Sequence, residues 1–106
     1  MLSIAIFSDQ DEDVAILKSA IQDFLIANKI MAKLSHFQKG ADMILVPTRY
    51  DIYIMDMDSV EDTIALGKTM MDIDAGSRFI YISQDTTKAY SVFKLHADYF
   101  FENPID

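Results

Sequence analysis

Five short apolar runs alternate along this chain with longer segments whose apolar residues recur every three or four positions. That alternation leaves few architectures open: a parallel sheet with helices on both faces, joined by right-handed crossovers. The first run, Ser3 to Phe7, meets the polar cluster Ser8-Asp9-Gln10-Asp11. Val14, Leu17, Ile21, Phe24 and Leu25 then predict a helix, whose acidic opening Asp11-Glu12-Asp13 suits the positive end of the helix dipole. A second strand is expected within Met31 to Phe37, followed by a short helix through Ala41, Ile44 and Leu45 that ends before Pro47. Asp51 to Met55 reads as the third strand. Val60, Ile64, Leu66, Met70 and Ile73 outline another helix, with Gly76 near its end. Phe79 to Ile82 is the fourth strand, closing on Ser83; Thr86 to His96 predicts a shorter helix, and Tyr99 to Phe101 a fifth strand before Asn103-Pro104.

At 106 residues the chain has room for one domain, spanning residues 1–106, and at 51% hydrophobic it should fold around a real core. A helix is expected after the fifth strand to cover it, so Asp106 reads as a boundary placed before that helix. Part of the face carrying Tyr99, Phe100 and Phe101 should then be exposed. The absence of cysteine excludes disulfides and thiol chemistry and fits a reducing cytoplasm. The apolar start, Met1 to Phe7, meets Ser8 and Asp9 too early for a signal peptide, and no window approaches the roughly 20 apolar residues of a membrane span. A net charge of -8 argues against binding nucleic acid through its phosphates.

In a parallel sheet the C-terminal ends of the strands share one edge, where such folds hold their ligands. Asp9 follows the first strand, Asp56 the third, Ser83 the fourth and Asn103 the fifth, with Asp58 two residues beyond Asp56. Two carboxylates with backbone and water oxygens suit Mg2+, which keeps several waters. An Asp beside such a cation can act as a nucleophile toward phosphorus, with a hydroxyl such as Ser83 donating to a phosphoryl oxygen. Each residue also has a plainer reading. Asp56 can cap a strand end, Asp9 a helix, and Asp58 and Asn103 can form turns, while Ser83 can be a simple loop residue. His36 and His96 lack metal-ligand spacing and read as surface or loop residues, and the seven Met residues as core filler.

The chain resembles a response-regulator receiver domain over essentially its whole length. Ile4-Ala5-Ile6-Phe7-Ser8-Asp9 is similar to the family's first strand with its acidic pair, and Tyr50-Asp51-Ile52-Tyr53-Ile54-Met55-Asp56 to the strand ending in the phosphoacceptor. Phe79-Ile80-Tyr81-Ile82-Ser83 resembles the strand ending in a switch Thr or Ser, and His96 through Ile105 the segment that normally closes on Lys-Pro. The resemblance implies a flavodoxin-like, doubly wound, five-stranded parallel sheet in the order 2-1-3-4-5. It implies Asp56 as phosphoacceptor, Asp9 and Asp56 with the Asp58 backbone carbonyl as Mg2+ ligands, Ser83 as the switch hydroxyl and Phe100 as the switch aromatic. It also makes Asn103-Pro104 a candidate cis peptide bond. The implied partners are a sensor histidine kinase and either an output domain of the same protein or a second copy.

Departures from the family pattern alter that expectation. Ser8 stands where the first acid belongs, Asn103 where the Lys belongs, and the loop after Asp56 lacks the usual Pro-Gly and is about one residue shorter. Asn offers a neutral amide where Lys supplies a point charge. A pseudo-receiver working by protein contacts is therefore favoured over a phosphorylated one. The strand leading to Asp56 resembles receivers attached to LytTR-type DNA-binding domains. A rival enzymatic reading is open: Asp56-Met57-Asp58-Ser59 also resembles the nucleophile motif of haloacid-dehalogenase-type phosphohydrolases, with Asp56 attacking and Asp58 as acid/base. The chain is short for that fold, and no later acidic pair follows at a strand end.

Overall fold

The computed structural model describes residues 1–46, 49–60, 62–85 and 87, and the backbone of 99–102. The elements run β1 (Leu2–Phe7), α1 (Asp11–Ala27), β2 (Ala32–Phe37), α2 (Gly40–Leu45), β3 (Ile52–Asp56), α3 (Thr63–Ile73), β4 (Arg78–Ser83) and β5 (Tyr99–Glu102). All strand pairs are parallel and the sheet order is β2-β1-β3-β4-β5, the expected doubly wound arrangement. Of the helix expected over Thr86 to His96 only Thr87 is among the described residues; His96, Asn103 and Pro104 lie outside them.

Alternation along each central strand sends successive side chains to opposite faces, so one sheet builds two cores. Ala5, Phe7, Tyr53, Met55, Phe79 and Tyr81 point to the face covered by Met43 of α2 and Leu66 and Met70 of α3. Ile4, Ile6, Ile54 and Ile82 point to the other, where Val14 and Leu17 of α1 meet them. The runs look continuously apolar because both faces are covered, as parallel sheets require. A row of rings strengthens the first face: Phe37 meets Tyr50 edge-on, Tyr50 meets Tyr53 edge-on, and Tyr53 stacks on Phe79 at 5.0 Å between centroids. Such pairs contribute about 1 kcal/mol each beyond the area they bury.

Two expectations change on inspection. The helix outlined from Val60 begins at Thr63, because Asp62 caps it by accepting the Ala65 N–H at 3.1 Å, and Val60 is 94% exposed in the preceding loop. His36 is neither on a loop nor free: it lies in β2, half-buried, with Nε2 at 2.8 Å from the Ser8 carbonyl oxygen. Among the described residues no helix is long and apolar enough to cross a membrane.

At the N-terminal edge of the sheet, opposite the strand ends considered above, α3 closes on a polar lock. Asp74, 2% exposed, accepts hydrogen bonds from the Arg49 guanidinium at 2.8 Å, the Tyr50 N–H at 3.2 Å and the Tyr53 hydroxyl at 3.1 Å. Ser77 adds a hydroxyl bond to the Tyr50 carbonyl. This lock ties the end of α3 to the start of β3.

Candidate functional site

The register places Asp56 of β3 beside Ile82 of β4, one residue short of Ser83. On the other side, β1 pairs with β3 through Phe7 and Met55, so Ser8 falls next to Asp56. Backbone bonds carry the ladders past the strand ends: the Ser8 N–H donates to the Phe37 carbonyl at 3.1 Å and the Met57 N–H to the Ile82 carbonyl at 2.9 Å. Asp9, Asp56, Asp58 and Ser83 are thus brought to one edge.

Asp56 is fully buried. The Ser8 hydroxyl donates to its Oδ2 at 2.6 Å, and the Asp58 N–H to its Oδ1 at 2.9 Å. Its backbone carbonyl accepts the Thr63 hydroxyl at 2.9 Å, tying the strand end to the first turn of α3. Burial raises the Asp56 pKa above its ordinary value; the Ser8 and Asp58 donors oppose that, and the nearby charges of Asp58 and Asp13 add to it.

Asp9 is held by the loop after β3 and by its own neighbour. Its Oδ2 accepts the Val60 N–H at 2.8 Å and its Oδ1 the Gln10 side-chain amide at 2.8 Å, while its own N–H donates to Ser59 Oγ at 3.2 Å. The Val60 bond, first among several, holds its pKa below the ordinary value, against a smaller opposing effect of burial. Asp58 reaches the other way. Its Oδ1 accepts the Ser83 hydroxyl at 2.7 Å and its Oδ2 the Gln84 N–H at 2.8 Å. The Asp85 N–H donates to Ser83 Oγ at 3.0 Å, which orients that hydroxyl's proton toward Asp58.

Each of the six carboxylate oxygens of Asp9, Asp56 and Asp58 therefore accepts a hydrogen bond from the protein itself. A hard cation needs several oxygens converging on one point. Among the described residues no three His, Cys, Asp or Glu side chains form a group that could hold a metal ion. Of the Mg2+ ligands implied by the family pattern, Asp56 receives the Ser8 hydroxyl and the Asp58 N–H, and Asp9 the Val60 N–H and the Gln10 amide.

Sequence reasoning gave Asp58 a backbone-carbonyl role in the receiver reading and an acid/base role in the enzymatic one, and missed the bite of its carboxylate on Ser83 and Gln84. Ser59, which receives the Asp9 N–H, was missed as well. The only sequence signal for either was their place just past an apolar strand. Phe100 lies in β5, in register with Tyr81.

One consequence is a stability test. A carboxyl whose folded pKa is raised contributes stability that is fully present below its unfolded value, about 3.9, and is lost as pH rises through the folded value. At neutral pH the burial of the Asp56 carboxyl thus counts against stability. Asp56→Asn should raise stability at pH 7 by on the order of 1 kcal/mol. The amide oxygen keeps the Asp58 N–H and the Ser8 hydroxyl rotates to accept. The gain should vanish as pH falls below about 4, and urea unfolding of both proteins across that range checks it.

No protein-family model and no curated protein sequence matches this chain. Solved structures do. The chain is similar to the signal receiver domain of a DNA-binding response regulator, merR, from Colwellia psychrerythraea 34H, with a TM-score of 0.83 and 18% identity over 100% of this chain and 89% of that one. It is similar to the response regulator TrrA from Thermotoga maritima in complex with Mg2+ and BeF, with a TM-score of 0.82 and 13% identity over 100% and 90% of the two chains. Against DrrB, an OmpR/PhoB homologue from Thermotoga maritima, the TM-score is 0.81 and the identity 14% over 99% of this chain. The chain spans 46% of the length of DrrB. At these identities the likeness defines the fold, which is that of response-regulator receiver domains.

Proposed function

We propose that this chain is the receiver-type signalling domain of a two-component-type response regulator. It is a pseudo-receiver that controls an output domain, one acting in transcription, through protein contacts with that domain or with a second copy. Asp56 stands at the phosphoacceptor position, Ser83 at the switch hydroxyl, Asn103 in place of the Lys and Phe100 at the switch aromatic. The observation that carries the contact-only form is the Ser8 hydroxyl seated on the buried Asp56 carboxylate, where the family places a second acid. An in-line attack on phosphorus needs a free, ionised oxygen and charge to offset the incoming phosphoryl group. Here burial disfavours the ionised form, both oxygens are engaged, and the neighbouring site charges are negative. The domain is regulatory rather than catalytic, so a sensor histidine kinase is a partner only if Asp56 accepts a phosphoryl group.

Incubating the protein with acetyl phosphate and Mg2+, then measuring intact mass, tests this reading. No added phosphoryl group is expected; stoichiometric modification that Asp56→Asn abolishes would overturn the contact-only form. The enzymatic alternative needs Asp58 free as an acid/base, and its carboxylate is held by Ser83 and Gln84. Mg2+-dependent turnover of a generic phosphomonoester, lost in Asp56→Asn, would revive it.

A further inference from the structure

A hydroxyl and a backbone N–H side by side, both aimed at one point, make an oxyanion-binding pair; Ser83 Oγ and the Gln84 N–H are such a pair at the end of β4. What they hold is the chain's own Asp58 carboxylate, one oxygen to each donor at 2.7 and 2.8 Å. We propose that Asp58 is an intramolecular ligand of this pair, latching the end of β4 onto the loop after β3 and closing the pair to external oxyanions such as phosphate.

Three features of the geometry carry this. The bite is two-pronged, which adds directional specificity to a charge-assisted contact. Ser83 is fully buried and its hydroxyl is oriented by the Asp85 N–H, a constraint that does not involve Asp58. The Asp58 N–H is anchored to Asp56 Oδ1 at 2.9 Å, so the latch is continuous with the buried carboxylate. Hydrogen bonds run from Ser8 through Asp56 and Asp58 to Ser83, joining the ends of β1, β3 and β4. The contact stands by itself; its meaning as a fixed switch rests on the receiver-type reading. In that reading, Ser83 is held inward constantly rather than on demand.

Amide hydrogen exchange and inorganic phosphate titration, both read by NMR on the 15N-labelled chain, test the latch. In the wild type, phosphate should produce no saturable shift at Ser83 or Gln84. Asp58→Ala should speed Gln84 amide exchange by roughly tenfold or more, the loss of one charge-assisted bond. It should also make the Ser83 and Gln84 amides titrate with phosphate. Asp58→Asn keeps the side-chain shape but has one acceptor oxygen, so it should fall between the two and serves if the alanine variant does not fold. Gln84 exchange unchanged in both variants would overturn the latch. So would a wild type that titrates as the variants do, or variants whose faster exchange brings no phosphate response. Phosphorylation of Asp56 by a small donor would instead defeat the contact-only reading, leaving the Gln84 exchange result in the unmodified protein intact.

Discussion

Gly67→Ala is expected to destabilise the protein by about 2 kcal/mol, although alanine is the better helix former. A methyl group at position 67 would lie 1.9 Å from the Tyr81 hydroxyl oxygen and 3.0 Å from the ring carbon bearing it. Tyr81 is fully buried at the centre of the sheet, so the ring has no open space to retreat into. The helix-propensity gain is about 1 kcal/mol and the overpacking cost can reach about 3, so the clash decides the sign. The same hydroxyl is, among the described residues, the buried side-chain polar atom without a hydrogen-bond partner, and burial pushes its pKa up to about 12. Tyr81→Phe should therefore be neutral or stabilising by about 1 kcal/mol, since it removes an unpaired group instead of a contact. In that background Gly67→Ala should cost markedly less, because the nearest atom is gone. Urea unfolding of the four proteins of this cycle gives the coupling directly. Strict additivity would mean that the two residues do not press on each other.

The second large effect lies at Asp74. Asp74→Ala should cost about 3 kcal/mol, and the reason is the donors it abandons. The Arg49 side chain is 72% exposed against 3% for Asp74, so its charge turns to water at little cost and the ion pair itself contributes little. The Tyr50 N–H and the Tyr53 hydroxyl are buried and would be left unpaired. Burial raises the Asp74 pKa, but hydrogen bonds from Ser77, Arg49 and Tyr53 together outweigh it and leave the carboxyl below its ordinary value. A depressed folded pKa gives stability that is present above the unfolded value, about 3.9, and lost as pH falls through the folded one. The difference between wild type and Asp74→Asn should accordingly shrink below about pH 4, as measured by unfolding at pH 7 and at pH 3. Asp56→Asn starts from the opposite sign, raising stability at neutral pH, so the two variants separate the two carboxyls.

The sheet was legible because the alternation of apolar runs with three-and-four spacing admits little else, and because runs such as Tyr53 to Met55 are apolar on both sides. The edge holding the site was legible for the same reason: parallel strands put Ser8, Asp56 and Ser83 on one line whatever the details. Helix starts were less so. Val60 fits the helical spacing to Ile64, yet its N–H belongs to Asp9 and the cap belongs to Asp62. Spacing does not tell which acid wins a donor. Nor does a sequence say which way a side chain turns: Asp58 could have capped its own turn, and its reach to β4 depends on Ser83 and Gln84 being brought alongside by strand pairing. Asp74 was invisible because its burial follows from how α3 meets the Tyr50–Tyr53 row, a tertiary outcome.

The central claim is that the carboxylates at this edge are engaged by the protein's own donors, Ser8 on Asp56 above all, so that the domain works without a phosphoryl group. Titration of the 15N-labelled chain with beryllofluoride in millimolar Mg2+, followed by NMR, tests it most directly. Amide peaks near Asp56, Ser83 and Phe100 are predicted to stay where they are. Saturable shifts at these positions, absent in Asp56→Asn, would contradict the account and return Asp56 to the role of a working phosphoacceptor.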